Sequence, residues 1–408
     1  MPIMIKHIKK YILVVGILLG SMGNLQAMTF IGYPIQPENT QISLLTCSPG
    51  ELIYELFGHT AIRIEDPTSG IDFVANYGLF DFNQDNFVYR FVRGKTDYQV
   101  GVQYTTSFLE GYKERGSSVR QTTLNLTTEQ KTYLLTRLDE NLRPENREYR
   151  YNFIYDNCAT RVRDLIEMSV SQQVSYPTHV ENYTFREAIM LYTANAPWSQ
   201  LGFDLCLGEG TDRTASQREL FFLPEMLGNA YHSARIITSN QSIPLNLHSS
   251  VLVPKTRENT SSWFTPTLCA YLLLLAAIFT SFFLRKKRKW LEISDVVLNT
   301  INGLGGCVIL FLILFSQHPF TFENYNIMWM NPLTLFPLLA AIFPFLKKLN
   351  GLYYAGSSIM WLAFIILMPI LPQNFNAAVL PWVLTLLLRS YLRFSEIRKR
   401  HQSRNLKI

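Results

Sequence analysis

Apolar residues are crowded into the last third of this chain, and that distribution limits the folds available to it. After Phe264, five apolar runs follow one another with short polar or basic connections. Each has about the length that a helix needs to cross a bilayer, the third being short and helped by its flanks. The runs are residues 265–284, 294–315, 333–346, 352–371 and 377–392. The sequence therefore predicts an all-α domain of five transmembrane helices over residues 263–393.

Lys and Arg occupy alternate connections between these runs. They cluster at residues 285–289, at 347–348 and in a basic tail over 394–408. Because positively charged connections stay on the cytoplasmic side, five spans predict an exported N-terminal part and a cytoplasmic C-terminus. The formal net charge of +6 comes largely from these membrane-flanking clusters. No aromatic-interleaved basic domain accompanies them, so we expect no nucleic-acid partner.

The N-terminus has the pattern of an export signal. Three lysines precede an apolar stretch over residues 11–19, and small and polar residues lead to Ala27. We predict a signal peptide over residues 1–27 with cleavage after Ala27. Leu25 stands where a small residue is usual, so an uncleaved anchor remains the alternative. The mixed, aromatic-rich segment 28–262 is then an exported α+β domain.

A cysteine at the start of an amphipathic run is the main candidate for chemistry in that domain. Cys158, Val162 and Leu165 recur at helical spacing, which predicts a helix that begins at Cys158 with Asn157 as its N-cap. A thiol in the first turn lies near the positive end of the helix dipole, which favours the thiolate. The bland alternative is a buried structural thiol.

A thiolate nucleophile needs a base, and His59 lies at the mouth of an alternating strand about a hundred residues upstream. A turn at residues 66–70 predicts a hairpin between strands 60–64 and 71–77. We expect Glu65 to face Ile71 in this hairpin. A third residue orients the imidazole: Asn76 by chemistry, Tyr77 by simple register, with Asp81 as a further option.

The remaining cysteines give no sign of a metal site. Cys269 and Cys307 fall inside apolar runs, whereas Cys47 and Cys206 lie in the exported segment and are candidates for a disulfide that leaves Cys158 free. No CxxC or HExxH pattern occurs in the sequence. We expect neither a metal nor another cofactor.

Two regions are candidates for binding a lipid. Residues 76–98 are dense in aromatic side chains with interleaved cations, which suits either core packing or an apolar groove rimmed by cations, and we take Arg63 and Arg93 as candidate anion-binding residues. The predicted outer loop 318–332 carries Asn324, Asn326 and Trp329. An aromatic belt explains the tryptophan, whereas the asparagines could position a lipid headgroup.

As a set, these motifs resemble a known family. The segments are Gly58–Arg63, Asn76–Phe82, Asn157–Thr160 and Phe222–Pro224, followed by a multi-span membrane half. Together they resemble the Lnb-type lipoprotein N-acyltransferases, whose exported part is the Lnb N-terminal periplasmic domain. The helix that starts at Asn157–Cys158 after a His-bearing strand is also similar to the permuted papain-like (NlpC/P60-like) group.

The resemblance implies an activity, partners and a location. The implied activity is transfer of an acyl chain from a membrane phospholipid, through a thioester on Cys158, to the α-amino group of a lipoprotein's diacylglyceryl cysteine. His59 and Cys158 take the catalytic roles by motif match. The implied location is the bacterial inner membrane, with a periplasmic papain-like domain over residues 28–262.

Other readings use the same residues. A papain-like hydrolase, acting as a peptidoglycan peptidase or amidase, would rarely need five membrane spans. A phospholipase differs only in that water replaces the amine. A non-catalytic envelope protein with Cys158 merely buried is the third alternative.

Overall fold

The computed structural model describes residues 28–176, 182–258, 262–283 and 286–405. The predicted signal peptide over residues 1–27 lies outside the described residues, and so does the end of the basic tail. The described residues form an N-terminal part that combines a β-sheet with helices and a C-terminal helical part.

The strands all belong to the N-terminal part. They are β1 Thr29–Phe30, β2 Tyr33–Pro34, β3 Gln41–Cys47, β4 His59–Asp66, β5 Ile71–Leu79, β6 Asp97–Tyr104, β7 Val119–Leu124, β8 Glu148–Arg150, β9 Gln173–Ser175, β10 Arg235–Ile237, β11 Ser242–Pro244 and β12 Asn246–Val253. Seven of them form one antiparallel sheet in the order β12-β7-β3-β4-β5-β6-β8.

The helices span both parts. They are α1 Phe87–Val92, α2 Thr105–Glu114, α3 Thr128–Leu142, α4 Cys158–Val170, α5 Phe185–Thr193, α6 Pro197–Cys206, α7 Gln217–Leu220, α8 Pro224–Ser233, α9 Pro266–Phe283, α10 Arg288–Phe315, α11 Phe336–Ile342, α12 Asn350–Leu367 and α13 Val379–Asn405. The contacts of α4 with β4, β5 and α3 bury its apolar face in the main core.

The β4–β5 hairpin exists, but its predicted register is wrong by one residue. Asp66 pairs with Ile71, and Ala61 pairs with Asn76. The Asp66 carboxylate causes the shift: it accepts hydrogen bonds from the Thr68 amide at 2.9 Å and the Ser69 hydroxyl at 2.8 Å, closing a four-residue loop. Because side chains alternate along a strand, this register puts Asn76 on the face of Ala61 and His59.

Three helical segments among the described residues are long and apolar enough to cross a membrane: Pro266–Phe283, Arg288–Phe315 and Pro344–Ile370. The third predicted run, 333–346, is not one helix. It comprises a 3₁₀ turn over Pro332–Leu335, the short α11 and a second 3₁₀ segment over Pro344–Leu349. Prolines have no amide hydrogen to donate within a helix, which explains the breaks. The last helix, α13, continues past residue 393 into the predicted tail.

Candidate active site

Cys158 opens α4 as predicted, and a capping box fixes that end of the helix. The Asn157 side-chain oxygen accepts hydrogen bonds from the Ala159 and Thr160 amides at 2.9 and 3.0 Å, and the Thr160 hydroxyl accepts from the Asn157 amide. The side-chain nitrogen Nδ2 of Asn157 also donates hydrogen bonds to the backbone carbonyls of Phe153 and Phe222, at 2.8 Å each. These bonds hold the half-buried Cys158 thiol at the N-terminus of the helix.

His59 reaches the same point from the sheet. It is the first residue of β4, and the preceding Gly58 has a φ of +74°, where an added Cβ would collide with the Cys47 carbonyl oxygen. The His59 imidazole lies close enough to the Cys158 thiol for each group to shift the pKa of the other. The structure therefore brings together the two residues that sequence separation kept apart.

Asn76 completes the arrangement. Its side-chain oxygen accepts a hydrogen bond from His59 Nε2 at 3.1 Å, which leaves Nδ1 for the thiol. Asn76 is 3% exposed, so this contact is shielded from water. The other two candidates lie elsewhere: the Tyr77 hydroxyl accepts from Asn141, and the exposed Asp81 carboxylate accepts from the Asn83 amide.

The environment favours a charged pair. Burial raises the pKa of the Cys158 thiol, but the charge and hydrogen bond of His59, with the backbone amides of Thr60 and Ala159, outweigh it and lower that pKa. Burial lowers the pKa of His59, yet the Cys158 charge and the hydrogen bonds to Cys158 and Asn76 carry it above its ordinary value. Thiolate and imidazolium therefore stabilise each other.

The predicted disulfide is absent, because Cys47 and Cys206 are both free thiols. Cys47 ends a central strand, where burial raises its pKa despite a hydrogen bond to Tyr112. Cys206 ends α6, where burial raises its pKa to about 11. Neither thiol shares the activating surroundings of Cys158.

The predicted lipid-headgroup residues of the outer loop are buried and occupied. The side-chain amide of Asn324 donates to the Leu205 carbonyl at 2.7 Å, and that of Asn326 donates to the Asp204 carbonyl at 2.9 Å. The Asn326 oxygen accepts from the Trp329 indole at 3.0 Å. These side chains attach α6 to the membrane part, and headgroup binding by them stays a prediction.

Arg63 and Arg93, the two predicted anion-binding residues, differ in how fully their guanidinium groups are hydrogen-bonded within the protein. The Arg63 guanidinium makes two 2.8 Å hydrogen bonds to the Asp72 carboxylate and a 2.8 Å bond to Gln121, so it is engaged within the sheet rather than free for an anion. Arg93 is less engaged: Nη1 donates to the Tyr89 hydroxyl at 3.2 Å, while its buried Nε has no hydrogen-bond partner among the described residues.

Tyr149 is a site residue that the sequence did not reveal. Its hydroxyl is buried without a hydrogen-bond partner among the described residues. A Cβ placed on Gly78 would lie 3.6 Å from the Cys158 Cβ and 3.9 Å from this hydroxyl, so the hydroxyl and the cysteine side chain are both neighbours of Gly78. The Arg161 guanidinium lies over the Tyr149 ring at 3.5 Å from its centroid and fixes the ring in place. The sequence around Tyr149, a tyrosine in a three-residue strand, contains no pattern that predicts its proximity to Cys158.

Two family models match the chain. The Lnb N-terminal periplasmic domain matches residues 33–189, which include His59, Asn76 and Cys158. The Lnb transmembrane domain matches residues 258–401. No curated protein and no solved structure matches the chain.

Proposed function

The chain belongs to the Lnb family, and from this premise we propose that it is a lipoprotein N-acyltransferase of the Cys–His type. The donor is a membrane phospholipid, and the acceptor is the α-amino group of a diacylglyceryl cysteine at a lipoprotein's N-terminus. The observation that carries the proposal is the Cys158–His59 pair, with the thiol pKa lowered and the imidazole pKa raised.

The first half of the reaction forms an acyl-enzyme. The Cys158 thiolate attacks the ester carbonyl of the phospholipid and forms a C–S bond. The ester C–O bond then breaks, and the lysophospholipid alkoxide leaves with the proton of the His59 imidazolium. Asn76 keeps the imidazole oriented through its 3.1 Å contact with Nε2.

The second half transfers the acyl chain to the amine. The α-amine attacks the thioester, His59 takes the amine proton, and the C–S bond breaks to give an amide and the thiolate. The oxyanion in each half needs hydrogen-bond donors. The candidates are the backbone amide of Cys158 at the helix N-terminus and the Tyr149 hydroxyl, which has no hydrogen-bond partner in the part of the chain that the structure describes.

The architecture suits a reaction between two lipids. In this proposal residues 1–27 direct export, and the papain-like domain over 28–262, permuted so that His precedes Cys, is periplasmic. The domain is held at the bacterial inner membrane by five spans, with a cytoplasmic C-terminus. The three helical segments that are long and apolar enough to cross a membrane support a membrane-embedded C-terminal part. Arg93, whose Nε has no hydrogen-bond partner within the described part of the chain, remains a proposed contact for headgroup phosphate.

Lipoprotein mass spectra test the activity in cells that depend on this chain. Cys158→Ser should remove the N-linked acyl group from lipoproteins, because oxygen at this position lacks the low pKa of the thiol. The matched control is Cys206→Ser, which changes a thiol whose pKa is raised, and it should leave acylation intact. Unchanged N-acylation in a normally abundant Cys158→Ser protein would eliminate the proposal. Release of free fatty acid or wall fragments instead of amide would favour a hydrolase.

A further inference from the structure

The short helix α1 and the loop before it expose an unusual number of large apolar side chains. None of the six residues of α1 is buried. Phe82 is 58% exposed, Val88 73% and Phe91 41%. The one cation within the helix, Arg90, is paired with Asp97 at 2.8 Å. Contiguous apolar surface of this kind marks a binding site more often than a free surface.

The aromatic rings of this region form a continuous row. Phe91 and Phe87 are stacked with ring centroids 6.2 Å apart, and Phe87 and Phe80 are stacked at 5.8 Å. Phe82 lies beside the row, 5.2 Å from Phe87 and 4.8 Å from Phe80. We call Phe80, Phe82, Phe87 and Phe91 the aromatic row.

One end of the aromatic row meets the membrane part. Phe91, the last member of the row, lies 5.3 Å from the ring of His318, three residues beyond α10. The neighbouring Tyr89 ring lies 6.3 Å from that of Phe311 in α10, one of the helices that can cross a membrane. Beyond the end of α10, the Ser316 hydroxyl donates to the Val92 carbonyl at 2.8 Å and the Gln317 amide donates to the Arg93 carbonyl at 2.9 Å. The row therefore starts where α10 ends.

The other end of the row is Phe80, the residue that directly follows β5. Phe80 lies 5.0 Å from Tyr98, which stacks on Tyr151 at 4.1 Å. Phe80 and Cys158 pack against the same core. Gly78, two residues before Phe80, lies against the Cys158 side chain. The segment from Gly78 to Phe80 therefore connects the surroundings of the thiol with the end of the row that lies away from α10.

We infer that the aromatic row binds the donor's acyl chain, with the ester carbonyl at Cys158 and the hydrocarbon running along the rings toward the membrane. This inference rests on the proposed function and assigns its substrate path. We favour a hydrocarbon over a protein segment as the ligand because the row runs from the C-terminal end of α10 toward the site of acyl transfer. The row also presents aromatic rings with few free polar groups.

Two donors of different chain length test this path. The purified full chain is mixed with a palmitoyl phospholipid or with a water-soluble hexanoyl phospholipid, and the hydroxylamine-labile adduct on Cys158 is followed by intact mass. Phe82→Asn and Phe87→Asn interrupt the row. The matched control is Tyr133→Asn, which changes a 43% exposed aromatic residue on α3.

Each row variant should lower the palmitoyl rate by about tenfold or more, since lost contact with two methylene groups already corresponds to that factor. The hexanoyl rate should stay within about twofold, because a short chain buries little surface on the row, and the control should match the unchanged protein with both donors.

Equal loss with both donors, or a palmitoyl rate that no row variant alters, would overturn the path. A change in self-association with an unaltered palmitoyl rate would overturn it too, in favour of a protein interface. If the unchanged protein forms no adduct with either donor, the proposed function itself fails.

Discussion

The His59 imidazole has two neighbours, the Asn76 side chain and the Cys158 thiol. The 3.1 Å contact of Nε2 with Asn76 holds the ring, and the interaction with Cys158 raises the pKa of the imidazole while it lowers that of the thiol. The other two exported cysteines lie at the end of a strand and the end of a helix, where burial raises the thiol pKa. Reactivity at residue scale is therefore a property of the neighbours and not of cysteine itself.

The pH dependence of Cys158 alkylation measures this coupling. The pKa of Cys158 lies below the ordinary value of 9.0, and the thiolate fraction falls as the pH drops through that pKa. Iodoacetamide, which reacts with the thiolate, should therefore still alkylate Cys158 rapidly at pH values below 9.0. His59→Ala removes the opposing charge while burial remains, so the profile should move to higher pH. Asn76→Ala should shift it less, and Asn141→Ala, whose side chain bonds Tyr77, should not shift it. An unchanged profile in His59→Ala would refute the coupling.

Tyr149→Phe separates a catalytic contact from a structural one. The buried hydroxyl has no partner among the described residues, so its removal should leave Tm unchanged or higher. If this hydroxyl stabilises the oxyanion, acylation of Cys158 should slow by about a hundredfold. Tyr77→Phe loses the 2.8 Å hydrogen bond from Asn141. We expect this variant to have a lower Tm and a nearly normal rate of Cys158 acylation. A lower Tm with a normal rate in Tyr149→Phe would count against the role.

At the scale of single elements, the helix that carries the thiol depends on its cap. Asn157→Ala removes two accepted bonds from amides and two donated bonds to carbonyls. We expect a loss of about 2 kcal/mol in the free energy of unfolding, with slower alkylation of Cys158 as the helix end loosens. Thr127→Ala, at the capping box of α3, should lower stability without changing alkylation. Equal alkylation in both variants would show that the cap does not position the thiol.

The same scale shows which elements the sequence could predict. The start of α4 was predictable because its capping residues are adjacent in sequence. The observed hairpin register differs from the predicted one by one residue because the Asp66 side chain closes the loop. The third apolar run differs from the predicted single helix because apolar composition alone does not register the breaks at its prolines. The attachment of the outer-loop asparagines to α6 is not predictable from the local sequence, because their partners lie more than a hundred residues away.

At the scale of the whole molecule, a buried ionic network joins the N-terminal and membrane parts. Arg186 pairs with Asp204 at 3.1 Å and with Asp212 at 2.9 Å. Asp204 also accepts from Asn376 and Asp212 from Asn374, both in the connection before α13. This network and the contacts at the end of α10 attach the thiol domain to the helical C-terminal part.

Arg186→Ala leaves two buried carboxylates without their cation, and we expect a loss of about 3–5 kcal/mol. Limited proteolysis should then cleave the connection between the two parts faster. Acyl transfer from bilayer lipid should fall more than alkylation of Cys158 by a soluble reagent, because the site itself remains. Arg213→Ala, which breaks an exposed pair with Glu219, should have little effect. Parallel loss of both reactions would mean that the network stabilises the site and not the docking.

The central claim is that Cys158, activated by His59, carries the acyl chain. Its most direct test is the intact mass of the purified protein after incubation with phospholipid. We predict an increment of one acyl group that maps to Cys158, is released by hydroxylamine, and is absent in Cys158→Ser and His59→Ala. An increment that persists in Cys158→Ser, or its absence from the folded, unsubstituted protein, would contradict the account.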